Sequence, residues 1–142
     1  MQFVERGVKY VIFARDAEAH VVVPPVAVGE RAARHGGDAR LRERFTDKRR
    51  RVTGVLEELG FRIYDSGSTF YVWARIPEEH GSDAMRLNEK LIAQAGVAAV
   101  PGSAFTDSNA WDNYMRFCIA REDHILDAAL GKLQDALTGG LN

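Results

Sequence analysis

One arginine stands in the middle of an apolar, strand-like run. The run is DNYMRFCIA, residues 112–120, and the arginine is Arg116. A guanidinium is always charged and is rarely buried without a partner, while its fork of N–H donors suits a carboxylate held by two parallel bonds. We therefore expect Arg116 either to bind a carboxylate or to pair with a nearby acid such as Asp112 or Glu122.

The loop before this strand supplies the walls of a candidate pocket. A short strand leads into Pro101, Gly102 and Ser103, and the loop that follows carries two large aromatic residues. The strand that follows would place the guanidinium of Arg116 beside this aromatic-lined turn. The residues predicted to surround Arg116 are Tyr71, Ser103, Phe105 and Trp111.

The sequence context of the other residues with reactive side chains favours structural roles for them. The four histidines lie far apart in the sequence, so no metal-ligand spacing is present. The single cysteine, Cys118, falls in an apolar strand pattern, which favours a packed thiol over a nucleophile. The segments HGGD and TGG do not join a strand to a helix as a phosphate loop does, and Ser103 lacks the G-x-S-x-G context of hydrolases.

Length and charge limit the class of protein. The chain has 142 residues, which is typical of one domain, and 19 basic against 20 acidic side chains. This balance predicts binding neither to nucleic acid nor to a membrane surface, and the basic run 48–51 is interpreted as a solvated helix face. The longest early apolar run is broken by two prolines and follows no signal-peptide pattern, so a cytoplasmic protein is expected.

Apolar periodicity predicts an α+β fold, with a small, mostly antiparallel sheet and helices packed on one face. The predicted order is a helix at 38–59, two strands within 61–76 joined by a turn at 65–68, a helix at 82–94, a strand at 97–100, a loop at 101–113, a strand at 114–120 and a helix at 123–137. We divide the chain into two parts. Residues 1–37 contain a predicted strand at 8–14 and a short helix that ends near Gly36 and Gly37, and residues 38–142 form a domain.

Four segments in this order resemble the C-terminal small domain of class I/II aminotransferases, enzymes of pyridoxal-phosphate fold type I. They are GFRIYDSGSTFYVWARIP (60–77), GVAAVPGSAF (96–105), YMRFCIA (114–120) and LDAALGKLQDAL (126–137). The resemblance covers about residues 40–137 and implies that Arg116 binds the α-carboxylate of the substrate. It also implies that residues 1–37 are a remnant of the end of the large domain.

The resemblance also implies what is missing. Members of the family are about three times longer, and their cofactor site lies mainly in the large domain. In an alignment of RGVKYVIFA with the family's phosphate-binding segment, Lys9 falls on the phosphate-binding arginine and Met1 on the Schiff-base lysine. Lys9 is thus a candidate phosphate contact. Ser68, where the family has glycine, puts the substrate pocket in doubt.

These expectations lead to three hypotheses. In the first, the chain joins a separate large-domain subunit and contributes Arg116 to a shared active site. Pyridoxal phosphate binds only in that assembly, and the isolated chain binds no cofactor and does not transaminate. In the second, it self-associates or binds a small carboxylate or amino acid without catalysis. In the third, Arg116 works with Ser103, Tyr71 or Asp112 in a different reaction. Without a large domain to cover it, apolar surface that includes Phe13, Trp111 and residues 21–28 is expected to be exposed. Homo-oligomers would bury this surface.

Overall fold

The structure is a computed structural model that describes residues 10–11, 36–64 and 70–141. The elements are β1 (Tyr10–Val11), α1 (Gly36–Glu58), β2 (Arg62–Tyr64), β3 (Tyr71–Arg75), α2 (Ala84–Ala95), β4 (Val97–Ala98), β5 (Val100–Pro101), β6 (Tyr114–Cys118) and α3 (Asp123–Thr138). In the described part of the chain, short 3-10 turns at Glu78–His80, Gly102–Ala104 and Asn109–Trp111 lie between these elements.

The central sheet has four strands in the order β2-β3-β6-β5, and every neighbouring pair is antiparallel. Side chains alternate between its two faces, as the period of two in a strand requires. Val72, Ala74, Met115 and Phe117 are fully buried on the face that meets the helices. Strand β1 pairs with β4 in parallel. The predicted α+β architecture is confirmed.

The helices cover one face of the sheet because each has an apolar stripe. The buried residues of α2 are Ala84, Leu87, Asn88, Leu91 and Ile92, a helical spacing. Asp83 caps this helix by accepting a hydrogen bond from the Arg86 amide at 3.1 Å, and Gly96 ends it in the left-handed conformation. Helices α1 and α3 add Val52, Leu56, Leu126, Leu130 and Leu133 to the same core.

Some predicted boundaries differ from the structure. Helix α1 begins at Gly36, so the glycines expected to end a preceding helix instead start this one. The predicted strand at 97–100 is two strands in different sheets, because the Ala99 amide donates to the buried Asn88 side chain at 2.9 Å instead of to a neighbouring strand. The turn at 65–68 and most of residues 1–37 lie outside the described residues. The division at residue 37 remains a prediction.

Candidate functional site

The sheet face opposite the helices carries basic and aromatic side chains, and we call this surface the open face. Strand register places its residues in rows across β2, β3 and β6. The first row is Arg62, Arg75 and Tyr114; the second is Tyr64, Trp73 and Arg116; the third includes Tyr71 and Cys118. Most of these side chains are partly exposed, in contrast to the buried residues that alternate with them.

Two aromatic rings hold the Arg116 guanidinium. Its central carbon lies 4.1 Å from the ring centroid of Tyr71 and 4.3 Å from that of Phe105. Both distances are well within the range of a cation–π contact. Tyr71 comes from β3 and Phe105 from the loop after β5, so two separate parts of the fold fix one side chain. Such restraint lowers the entropy lost when the guanidinium binds an anion.

The other predicted pocket residues are placed differently. Trp111 reaches this region through Trp73, since the two indole centroids are 5.4 Å apart and Trp73 also lies 5.3 Å from Phe105. Ser103 belongs to the 3-10 turn Gly102–Ala104, two residues before Phe105. Sequence reasoning missed Trp73. This residue is two positions after Tyr71 in a predicted strand, so both side chains must lie on the same face of the sheet. Lys9 and Ser68 lie outside the described residues.

A glycine sets the position of the loop that carries these rings. A side chain on Gly102 would place its Cβ 2.9 Å from the Cβ of Trp111 and still closer to the Trp111 carbonyl oxygen. Real Cβ atoms do not approach other atoms so closely. Only glycine therefore lets the two 3-10 turns of the loop pack together, with Trp111 in contact with Trp73.

The basic run 48–51 was interpreted as a solvated helix face. This holds for Arg50, which is exposed, whereas Lys48 and Arg51 link α1 to α3 and the residues just before it. Lys48 is buried, and its ammonium donates a hydrogen bond to the Arg121 carbonyl. Arg51 pairs with Asp123, and with Asp127 at 2.5 Å. The hydrogen bond from Arg51 lowers the pKa of the Asp123 carboxyl below its usual value. Lys48 and Arg51 therefore hold α1 against the α3 region.

The residues described here do not by themselves fit pyridoxal phosphate. The lysines in the described ranges are Lys48, Lys90 and Lys132, and all three lie on helices, across the sheet from Arg116. An internal imine with the cofactor needs a lysine amine at the site. The described part of the chain also contains no group of three or more His, Cys, Asp or Glu residues that could hold a metal.

Cys118 is buried at the end of β6, as expected for a packed thiol. Burial raises the pKa of this thiol above its ordinary value. A thiol in that state is a poor nucleophile. Among the residues that the structure describes, no α-helix has the length and the apolar composition that a transmembrane span requires.

Comparison with known proteins identifies the family and the fold of the chain. Residues 35–133 match the family model described as aminotransferase class I and II. The LL-diaminopimelate aminotransferase of Aquifex aeolicus is 30% identical over 91 residues, which are 63% of this chain and 22% of that relative. The solved N-succinyldiaminopimelate aminotransferase of Mycobacterium tuberculosis is 33% identical, with a TM-score of 0.60 over 67% of this chain and 25% of that protein.

A third protein supports the same conclusion. The aromatic aminotransferase of Pyrococcus horikoshii is 26% identical, with a TM-score of 0.65 over 72% of this chain and 27% of that structure. The chain thus spans about a quarter of the length of the relatives it matches. The matched region contains the whole four-stranded sheet, and it includes α3 except for the last turn of that helix. The resemblance of the four sequence segments is confirmed, and the chain belongs to the class I and II aminotransferases.

Proposed function

We propose that the chain supplies Arg116 as the substrate carboxylate-binding residue of an aminotransferase active site that a partner chain completes. The observation that carries this proposal is the position of Arg116, mid-strand on the open face and held between Tyr71 and Phe105. A guanidinium fixed in this way binds a planar carboxylate through two parallel bonds. The ligand class is an amino acid or the corresponding 2-oxo acid.

The described residues indicate which groups of the active site this chain supplies and which the partner chain must supply. They provide a restrained cation and an aromatic wall, but every described lysine lies across the sheet from Arg116. Transamination requires pyridoxal phosphate and an amine that forms an imine with it. In this proposal the partner chain supplies both, so the cofactor binds only in the completed assembly and the isolated chain does not transaminate.

The test combines purification with a defined variant. We would purify the tagged chain with its partner from the source cells, add pyridoxal phosphate, and measure amino transfer from a panel of amino acids. Replacing Arg116 by Gln should raise the KM for the amino acid by at least about tenfold, because it removes a charge-assisted pair worth about 1.5–3 kcal/mol. The exposed Arg50→Gln change on α1 is the matched control and should leave the KM unchanged.

Two results would refute this proposal. Transamination by the isolated chain with added pyridoxal phosphate would show that no partner is needed. An assembly that transaminates equally well with Arg116→Gln would show that this guanidinium does not bind the substrate.

The alternative function is a self-associating protein that binds a carboxylate without catalysis. The exposed aromatic residues favour it, since Tyr64, Phe105 and Trp111 each leave 43–44% of their surface open to solvent. Large exposed apolar groups on one surface mark interaction sites. A homodimer in light scattering, with carboxylate binding lost in Arg116→Gln and no catalytic partner recovered, would support this alternative. A cytoplasmic location is a prediction under either function.

A further inference from the structure

The outer surface of the helix layer contains a groove between α1 and α3. Its volume is about 430 Å³. Charged and small residues from both helices line it, among them Arg50, Gly54, Glu58, Asp127 and Gly131. Helix α1 turns Val52 and Leu56 toward the core, and helical spacing places Gly54 on the opposite side of that helix. The groove therefore faces away from the sheet.

Contacts within the chain do not explain Gly54. It lies inside α1, where glycine destabilises a helix relative to alanine. A methyl group in its place would meet no other described atom within 4 Å, and the same holds for Gly131 across the groove. The size of the contact residues sets the distance between packed helices. The two glycines therefore leave room for a third helix to lie close against α1 and α3.

The charges along α1 are arranged symmetrically about Gly54. Arg50 comes four residues before it and Glu58 four residues after it, so both lie on the same face of the helix. They are twice too far apart along the helix for the i, i+4 spacing at which side chains of one helix pair. Arg50 makes an exposed contact with Asp47 at 3.4 Å, which contributes little. Glu58 forms no ion pair within the described part of the chain.

A second, antiparallel copy of α1 complements these charges. If two α1 helices cross antiparallel at Gly54, the Arg50 of each copy lies beside the Glu58 of the other, and the two-fold symmetry forms this pair twice. A parallel copy would instead bring like charges together, which is unfavourable. We propose that two copies of this chain form a homodimer through the groove, with their α1 helices antiparallel and in contact at Gly54.

The dimer is compatible with the proposed function and does not depend on it. The groove and Arg116 are on opposite sides of the sheet, so pairing leaves both open faces uncovered. Each copy can still join a partner chain. A change at Arg50 weakens the pairing of the two copies and leaves the carboxylate site intact. Pairing also buries the part of Val55 that lines the groove, which adds an apolar contact to the ion pairs.

The first test is sedimentation velocity of the whole chain over a concentration series. The chain should convert from monomer to dimer with a Kd on the order of 10 µM, as expected for a small interface. Gly54→Leu should raise this Kd at least about tenfold, because the new side chain holds the helices apart. One copy has space for this side chain, so the helix content in circular dichroism should not fall. Ala93→Leu, at an exposed position of α2, is the matched control and should leave the Kd unchanged.

The second test reverses the charges. Arg50→Glu and Glu58→Arg should each raise the Kd at least about tenfold, because each brings two pairs of like charges together. Mixed in equal amounts, the two variants should associate about as tightly as the unmodified chain, because every pair then joins opposite charges. A chain that stays monomeric throughout the series, or variants that fail to associate on mixing, would overturn the proposal. A dimer that persists in Gly54→Leu would place the contact on another surface and would also overturn it.

Discussion

At the scale of single residues, Arg116 differs from the other arginines in its restraint more than in its charge. Surface arginines such as Arg50 make exposed contacts, here 3.4 Å to Asp47, that contribute little to stability. Arg116 instead contacts two rings from separate parts of the chain. This restraint supports the proposed carboxylate site, because less side-chain freedom is lost when a restrained guanidinium binds.

Cys118 provides a test of burial at the same scale. The thiol is buried and desolvation raises its pKa, so we expect it to react about a hundredfold more slowly with a disulfide reagent in the folded protein than in urea. Because it is the single cysteine of the chain, the absorbance of the released product reports this residue alone. Complete reaction of the folded protein on mixing would contradict the placement of β6.

At the scale of elements, the strands and helices were predictable and the contacts across the sheet were not. The alternation of Val72 and Ala74 with Tyr71 and Trp73 is visible in the sequence and defines the two faces. The stacking of Phe105 on Arg116 depends on where a 12-residue loop between β5 and β6 turns back, and no local pattern encodes that. The split of residues 97–100 depends on one buried side chain, Asn88, on another element.

The loop between β5 and β6 gives a prediction for one glycine. Gly102→Ala should destabilise the protein by about 1–3 kcal/mol, because the new methyl group would overlap Trp111. It should also alter the fluorescence of Trp73 and Trp111, the two tryptophans of the chain. Urea unfolding followed by fluorescence measures both effects.

Gly131→Ala is the matched control for this change. A methyl group there meets nothing within 4 Å, and Gly131 lies inside α3. Alanine is a better helix former, so this variant should gain about 0.5–1 kcal/mol. Equal stability of the two alanine variants would contradict the packing of the loop.

The link between α1 and α3 gives a pH-dependent prediction. Asp123 has a folded-state pKa below its unfolded value because of Arg51, so its contribution to stability is present above the unfolded pKa and is lost as pH falls through the folded pKa. Asp123→Asn should therefore lower the urea midpoint at pH 7, and the difference from the unmodified protein should shrink toward pH 3. A difference that is constant over this range would show that the carboxylate charge is not involved.

At the scale of the whole molecule, the chain matches about a quarter of each relative yet contains a continuous core. The core lies between the sheet and the helices, so the open face contributes little to it and remains available for binding. Its aromatic residues form a connected series of ring contacts from Tyr64 through Tyr114, Trp111 and Trp73 to Phe105. We expect this surface to be covered in any functional assembly.

The family could be predicted from the sequence because its four segments fall on the elements that build the sheet. The matched region, residues 35–133, confirms the segments quoted around Arg116. The role proposed for that arginine came from the family resemblance, because its residue type and its position mid-strand left an ion pair with a nearby acid equally open. The first row of the open face could not be predicted, because Arg62 and Tyr114 are 52 positions apart and meet only through the register of two strand pairs.

The most direct test of the account is whether the Arg116 guanidinium binds a carboxylate. Titration of the isotope-labelled chain with pyruvate should shift the Arg116 side-chain N–H resonance in a saturable way, with a Kd on the order of millimolar for this part of the active site alone. Methyl pyruvate, which lacks the charge, should leave that resonance in place, and Arg50 should respond to neither ligand. An Arg116 resonance that does not move with pyruvate, or that moves equally with the neutral ester, would contradict the central claim.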